Sequence, residues 1–135
     1  MAQAGGNVRG PGQAQCADGQ VAAGGHGAVG VVDRMDGAPP LSARVAPEKA
    51  ASAALLGRDG ADLITLQQTW PAVFAQLSQI AGTPIVAGAG ARVIRRGNAV
   101  IGAVAVSGST PQQDDECVDV ALGLTPQAAA RPTAR

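Results

Sequence analysis

The 135 residues hold one histidine, His26, in the run Gly24-Gly25-His26-Gly27. A catalytic triad with its own base and a multi-histidine metal site are therefore both excluded. The flanking glycines leave the imidazole uncrowded. A single axial bond to haem iron is one of the few roles that a lone histidine can fill. An exposed turn residue is the plainer role, and the residues by themselves leave both open. Met35 and the thiolates of Cys16 and Cys117 are weaker candidate ligands for the same metal. Arg34 and Lys49 are cations that could pair with carboxylates, either haem propionates or a small acid. For Lys49 a solvated helix charge is the simpler reading.

Other constellations carry less chemistry. Asp114-Asp115-Glu116 resembles a metal cluster, but consecutive helix residues turn by about 100° each and do not converge. Compensation of a helix dipole explains them more simply. Gly88-Ala89-Gly90-Ala91-Arg92-Val93 resembles the start of a dinucleotide fingerprint. Val93 stands where the third glycine belongs, and the next segment reads as strand, so a phosphate would find no helix N-terminus. No serine has a base partner and no cysteine a convincing one, so the residues alone leave enzymatic activity uncertain.

The elements that must position these residues come from an unusual composition. There are 29 alanines and 19 glycines, with one Trp, one Phe and no Tyr. Ten basic and ten acidic residues cancel. A nucleic-acid binder needs a basic surface and stacking aromatics, and both are missing. A core built largely from Ala and Val is thin, because each side chain contributes little transfer energy. Burial between subunits would help, so a homo-oligomer is expected. No run of eighteen apolar residues occurs, which excludes a membrane-spanning helix. Nor does a signal-peptide pattern open the chain. Cys16 and Cys117 lie far apart and read as free thiols in a reducing compartment. The expected location is the cytoplasm.

Residues 1–20 are Gly-, Ala- and Gln-rich and are expected to be flexible, and 125–135 to be a disordered tail, leaving a folded domain at 21–124. Val21 to Val32 reads as extended chain with a turn at Gly24 to Gly27. Pro47 suits the first turn of a helix that ends at Gly57. Asp59 is a candidate cap for a second helical region. There Leu63, Leu66, Trp70, Val73, Phe74 and Leu77 recur at helical spacing, and Pro71 predicts a break near Thr69. Pro84 to Val86, Ala91 to Arg95 and Ala99 to Val106 read as strands, the last apolar on both faces. Thr110, Pro111 and Gln113 form a capping box. The helix they start predicts a stripe of Cys117, Val120, Ala121 and Leu124. This order, β-β-α-α-β-β-α, predicts an α+β domain with a mainly antiparallel sheet.

Two stretches together carry a family resemblance. The first runs from Gly24-Gly25-His26 through Arg34-Met35-Asp36-Gly37-Ala38-Pro39-Pro40 to a helix with Lys49 that ends Leu56-Gly57-Arg58. The second runs from Gly82-Thr83-Pro84-Ile85-Val86 through Gly97 and Ile101-Gly102-Ala103-Val104-Ala105-Val106-Ser107-Gly108 to Thr110-Pro111, Asp114 and Cys117. Over about residues 22–124 the chain resembles the GlcG/HbpS-like haem-binding proteins, a family that includes the C-terminal domain of PduO-type corrinoid adenosyltransferases. The resemblance implies a profilin-like α/β/α fold with a five-stranded antiparallel sheet. It also implies a homo-oligomer and a tetrapyrrole ligand, haem first and a corrinoid as the alternative. Members are linked to haem sensing, storage or degradation, or to glycolate and aromatic catabolism. His26 matches the family's Gly-Gly-His motif and is the implied metal ligand, with Arg34 and Lys49 as cofactor-binding partners. Such proteins usually open with an amphipathic helix. Residues 1–20 are too Gly-rich to form a good one, so this reading leaves that helix missing.

Overall fold

The computed structural model describes the backbone of residues 19–24 and 29–123, and side chains from residue 30 onward. The elements are β1 (Gly19–Gly24), β2 (Val29–Asp33), α1 (Ser42–Leu56), α2 (Gly60–Thr69), α3 (Pro71–Ala81), β3 (Ala91–Arg96), β4 (Ala99–Ser107) and α4 (Pro111–Ala121). The strands form one antiparallel sheet in the order β2-β1-β4-β3. Among the described residues the sheet therefore has four strands, where the resemblance implies five.

The strand expected at Pro84 to Val86 does not form. Its backbone joins no ladder. The Ile85 N–H donates to Ser78 Oγ at 3.1 Å and the Val86 N–H to Ser52 Oγ at 2.9 Å. Two helix serines thus satisfy the donors that a neighbouring strand would otherwise take, and Pro84 has none to offer.

The central strand β4 sorts the core into two layers by its alternation. Ala103 and Ala105 face α1, where Ala46, Ala50, Ala53 and Ala54 meet Ala91 of β3, with Val93 packed alongside. Alanine stubs let the helix lie close on the sheet along its whole length, and α1 touches all four strands. Val104 and Val106 face the other way and pack with Cys117 and Val118 of α4. That helix lies on β4 and β3. The two-sided strand expected from sequence is thus present from Gly102 to Ser107, where every residue is buried.

Several local signals act as expected. Gly57 and Gly82 end their helices at φ +64° and +69°. The helix break falls at Trp70, with Pro71 at the first position of α3. Thr110 and Gln113 make both bonds of the capping box, at 3.2 and 3.3 Å.

Others do not. Helix α1 begins at Ser42, so Pro47 lies inside it rather than in its first turn. The helix tolerates the lost bond because its Ala face is anchored on the sheet on both sides of that point, by Ala46 before it and Ala50, Ala53 and Ala54 after it. The Leu63 to Leu77 stripe is only partly core: Leu63 and Phe74 are buried, whereas Trp70 is 60% exposed and Val73 57%. The break at Trp70 rotates the two halves out of one stripe. In α4 the buried residues are Asp114, Cys117 and Val118, and Val120 is half-buried. Leu124 lies outside the described residues.

Candidate functional site

The densest polar arrangement surrounds Lys49. Its stem runs beneath Gly88, where an added Cβ would lie 3.5 Å from Cε. Its Nζ donates to Val106 O at 2.6 Å and pairs with Asp114 Oδ2 at 3.4 Å. Both side chains are buried. Asp114 also accepts the Ser109 N–H through Oδ1 at 3.2 Å. Gly90 completes the arrangement at φ +87°, its N–H on Asp115 Oδ1 at 2.7 Å and its carbonyl on the Val106 N–H at 2.8 Å. A Cβ on Gly90 would meet Asp114 Cβ at 2.6 Å and Val106 O at 2.8 Å. No side chain fits there.

This settles three sequence readings. Lys49 is not a solvated helix charge; its partner is a buried carboxylate 65 positions downstream. Gly88 to Gly90 leads into β3 rather than a helix, and Gly90 makes room for Lys49 and Asp114 instead of a phosphate. The acidic run diverges as expected, but ion pairs occupy it. Asp114 takes Lys49, Asp115 takes Arg92, and Glu116 is exposed. Among the described residues no three His, Cys, Asp or Glu side chains gather for a metal.

Arg92 stands on β3 under α4. Its Nη1 donates to Asp115 Oδ1 at 2.9 Å and its Nε to Asp119 Oδ1 at 3.1 Å. Burial by itself lowers the pKa of Arg92, but the bonds and charges of the two aspartates outweigh it and raise that pKa above its ordinary value. Asp59 makes another cross-link that the sequence did not show. It stands at the N-terminus of α2 but makes no side-chain cap; its Oδ1 accepts the Val93 N–H at 2.9 Å.

His26, with its neighbours at 25, 27 and 28, lies outside the described residues, as does Cys16. Arg34 follows β2 directly and is exposed, with Nη2 donating to Ala38 O at 2.7 Å. That bond closes the Met35 to Ala38 turn, in which Gly37 takes φ +83° and Ala38 is buried. The structure therefore does not bring Arg34 and Lys49 into one cluster: one cation is at the surface, and the other is in the interior. Elsewhere, Arg58, Asp62, Thr65, Leu66, Thr69 and Trp70 line an open groove of about 280 Å³ along α2.

Cys117 also departs from expectation. It is fully buried and disulfide-bonded, not a free thiol, so it is no thiolate ligand. Distance along the sequence had argued against a bond, but folding brings remote segments together.

A four-stranded antiparallel sheet with helices on both faces, locked by a buried Lys–Asp pair, defines a small α+β domain. The model of a family described as "Haem degrading protein HbpS-like" matches residues 18–123, and the chain belongs to that family. Among solved structures, a PduOC–haem complex matches at 24% identity and TM-score 0.70, over 79% of this chain and 77% of that one. A Klebsiella pneumoniae protein called ORFY matches at 26% identity and TM-score 0.69, over 81% and 74%. A double mutant of Streptomyces reticuli HbpS matches at 21% identity and TM-score 0.64, over 90% and 94%. A search of curated protein sequences finds no match. Among the described residues no helix is long and apolar enough to cross a membrane.

Proposed function

We propose that this chain binds haem, or a closely related tetrapyrrole, with His26 as axial ligand and Arg34 paired with a propionate. The observation that carries the reading is the character of β2. This outermost strand leads from the His26 segment to Arg34, and its Val31, on the α4 face, and Val32, on the α1 face, are 39% and 47% exposed. Leu41, just beyond the Arg34 turn, is also exposed. A flat apolar ring with two carboxylates needs an apolar surface, a cation at its rim and a metal ligand. The residue types along this stretch fit all three needs. Family membership supports the ligand class, as does the haem bound by a similar protein.

Bound haem supplies an iron centre, and the chain's own residues bind, orient and shield it. In this reading Lys49 is a positioning residue. It touches no ligand but holds Gly90, β4 and α4 together. A second copy of the chain would cover the exposed apolar residues, giving a homo-oligomer. The role would be haem sensing, storage or degradation. A cytoplasmic address loses the support of free thiols once Cys117 is disulfide-bonded.

Titration of the purified protein with hemin tests the reading, with a corrinoid run in parallel. A saturable Soret shift is expected that is lost in His26→Ala and weakened in Arg34→Ala. Absence of a saturable shift in the wild type overturns haem binding. A shift unchanged in His26→Ala overturns the ligand assignment alone.

A further inference from the structure

Helix α3 is held on one side only. It packs against α2, and α2 in turn meets α1 and β3. The pair therefore sits at the β3 margin, across the sheet from β2. Phe74 is the buried residue of α3, and Ser78 Oγ accepts the Ile85 N–H, so these two side chains mark the side turned to the body. At about 100° per residue, Val73, Leu77 and Ile80 form a second stripe, a quarter-turn or more away from them. Val73 is exposed, Leu77 half-buried, and Ile80 is 79% exposed. Trp70, also exposed, continues this stripe to Leu66 in the groove along α2.

Charge limits what can cover this surface. No residue from 63 to 91 is charged. The groove adds Arg58 and Asp62, which are opposite in sign. A contiguous apolar patch left in water marks a contact with another molecule, and the centre of a protein interface is poor in charge and rich in aromatics. A lipid surface is a poor match, because helices that lie on one carry Lys and Arg beside the apolar face, and α3 has neither. A charged protein surface would lose its hydration here and gain no counter-charge. A second copy presents the same uncharged face. With a net charge of zero, two copies approach without long-range repulsion. Area sets the extent of the contact. A stable interface takes about 800 Å² from each partner, more than one stripe on a helix about 16 Å long supplies. The adjoining α2 groove extends it, so two helices of each copy take part.

We propose that two copies of this chain associate across a two-fold axis through the α2–α3 surface, with Trp70, Val73, Leu77 and Ile80 at its centre. Such a contact uses one patch twice, which a face without charge permits. The surface is separate from β2, and the contact requires no haem.

The test is sedimentation velocity of the full chain over a broad dilution series, without hemin, alongside fluorescence. Trp70 is the chain's single tryptophan, so its emission reports on this surface alone. The wild type is expected to sediment as a dimer or larger species, and dilution to release smaller species while Trp70 emission moves to longer wavelength. The variant carrying Val73→Glu and Ile80→Glu is expected to have half the mass or less, with long-wavelength emission at every concentration. Its far-ultraviolet circular dichroism should match the wild type, since both side chains are exposed. Ala75→Glu puts a charge on the exposed far side of α3 and should keep the wild-type mass. A wild type that is monomeric throughout overturns the proposal, whether Trp70 is then wet, covered by its own chain or buried on added lipid vesicles. An assembly that keeps its mass in the double variant, or loses it equally in Ala75→Glu, also overturns it.

Discussion

The two faces of the sheet solve the same packing problem by opposite means. On the α1 face seven alanines form the buried layer, and one long helix touches every strand. That contact is wide, close and unspecific in direction. On the α4 face the apolar layer is four residues, Val104, Val106, Cys117 and Val118. Around it stand Lys49–Asp114, Arg92–Asp115 and Arg92–Asp119, together with the Cys117 disulfide. A chain short of large apolar side chains can thus hold α1 mainly by closeness, whereas α4 is held by directed polar bonds, one of them reaching it from Lys49 of α1. Volume governs the first face, and charge pairing the second.

The largest effect that should separate the faces comes from Lys49→Met. It leaves Asp114 buried without its cation, and the expected loss is about 3–5 kcal/mol in urea unfolding. Adding Asp114→Leu should restore most of that loss. If the double variant is no better than the single, the pair is not what holds this face. Next comes Ala53→Leu on the alanine face, where Ala53 is fully buried. Overpacking should cost about 1–3 kcal/mol, and a neutral outcome would mean that α1 does not lie tightly on the sheet.

Smaller is Arg92→Ala, at about 1–2 kcal/mol after allowing for the partial exposure of both aspartates. Because the folded pKa of Arg92 is raised, its contribution is complete below the ordinary arginine pKa and is lost only as pH climbs through the folded value. The deficit of Arg92→Ala should therefore stay level from about pH 6 to pH 9. A slope across that range would contradict the raised pKa. Smallest is Thr110→Ala, about 1 kcal/mol, through loss of the capping box that starts α4. Thermal melts of the four single variants in one buffer would rank them.

What could be read from the sequence was what is local. The Thr110 box, the Gly57 and Gly82 ends, and the Trp70-Pro71 break each depend on residues within one turn of one another. The family's motifs supplied the overall architecture. The misreadings have remote partners. Nothing near Lys49 announces Asp114, and nothing near Asp59 announces Val93. Pro84 to Val86 has the apolar character of a strand, but its N–H groups go to Ser52 and Ser78. Pro47 followed by helix formers reads as a start, although the sheet supports the helix on both sides of it. Of the candidate site, Arg34 is placed at the surface and Lys49 in the interior, while His26 lies beyond the described residues.

The bond from the Val93 N–H to Asp59 bears on how the protein behaves at high concentration. A sheet margin with free N–H and C=O groups is a template for a strand of another molecule. On β3 that template is interrupted where Asp59 takes the Val93 N–H, and Arg95 and Arg96 add repelling charge along the strand. The opposite margin, β2, carries one charge, Asp33, in its five residues. A sheet that accepted a neighbour on one side only would stop after a single pairing, so Asp59 would end sheet growth rather than let edge-to-edge contact run on into a fibre.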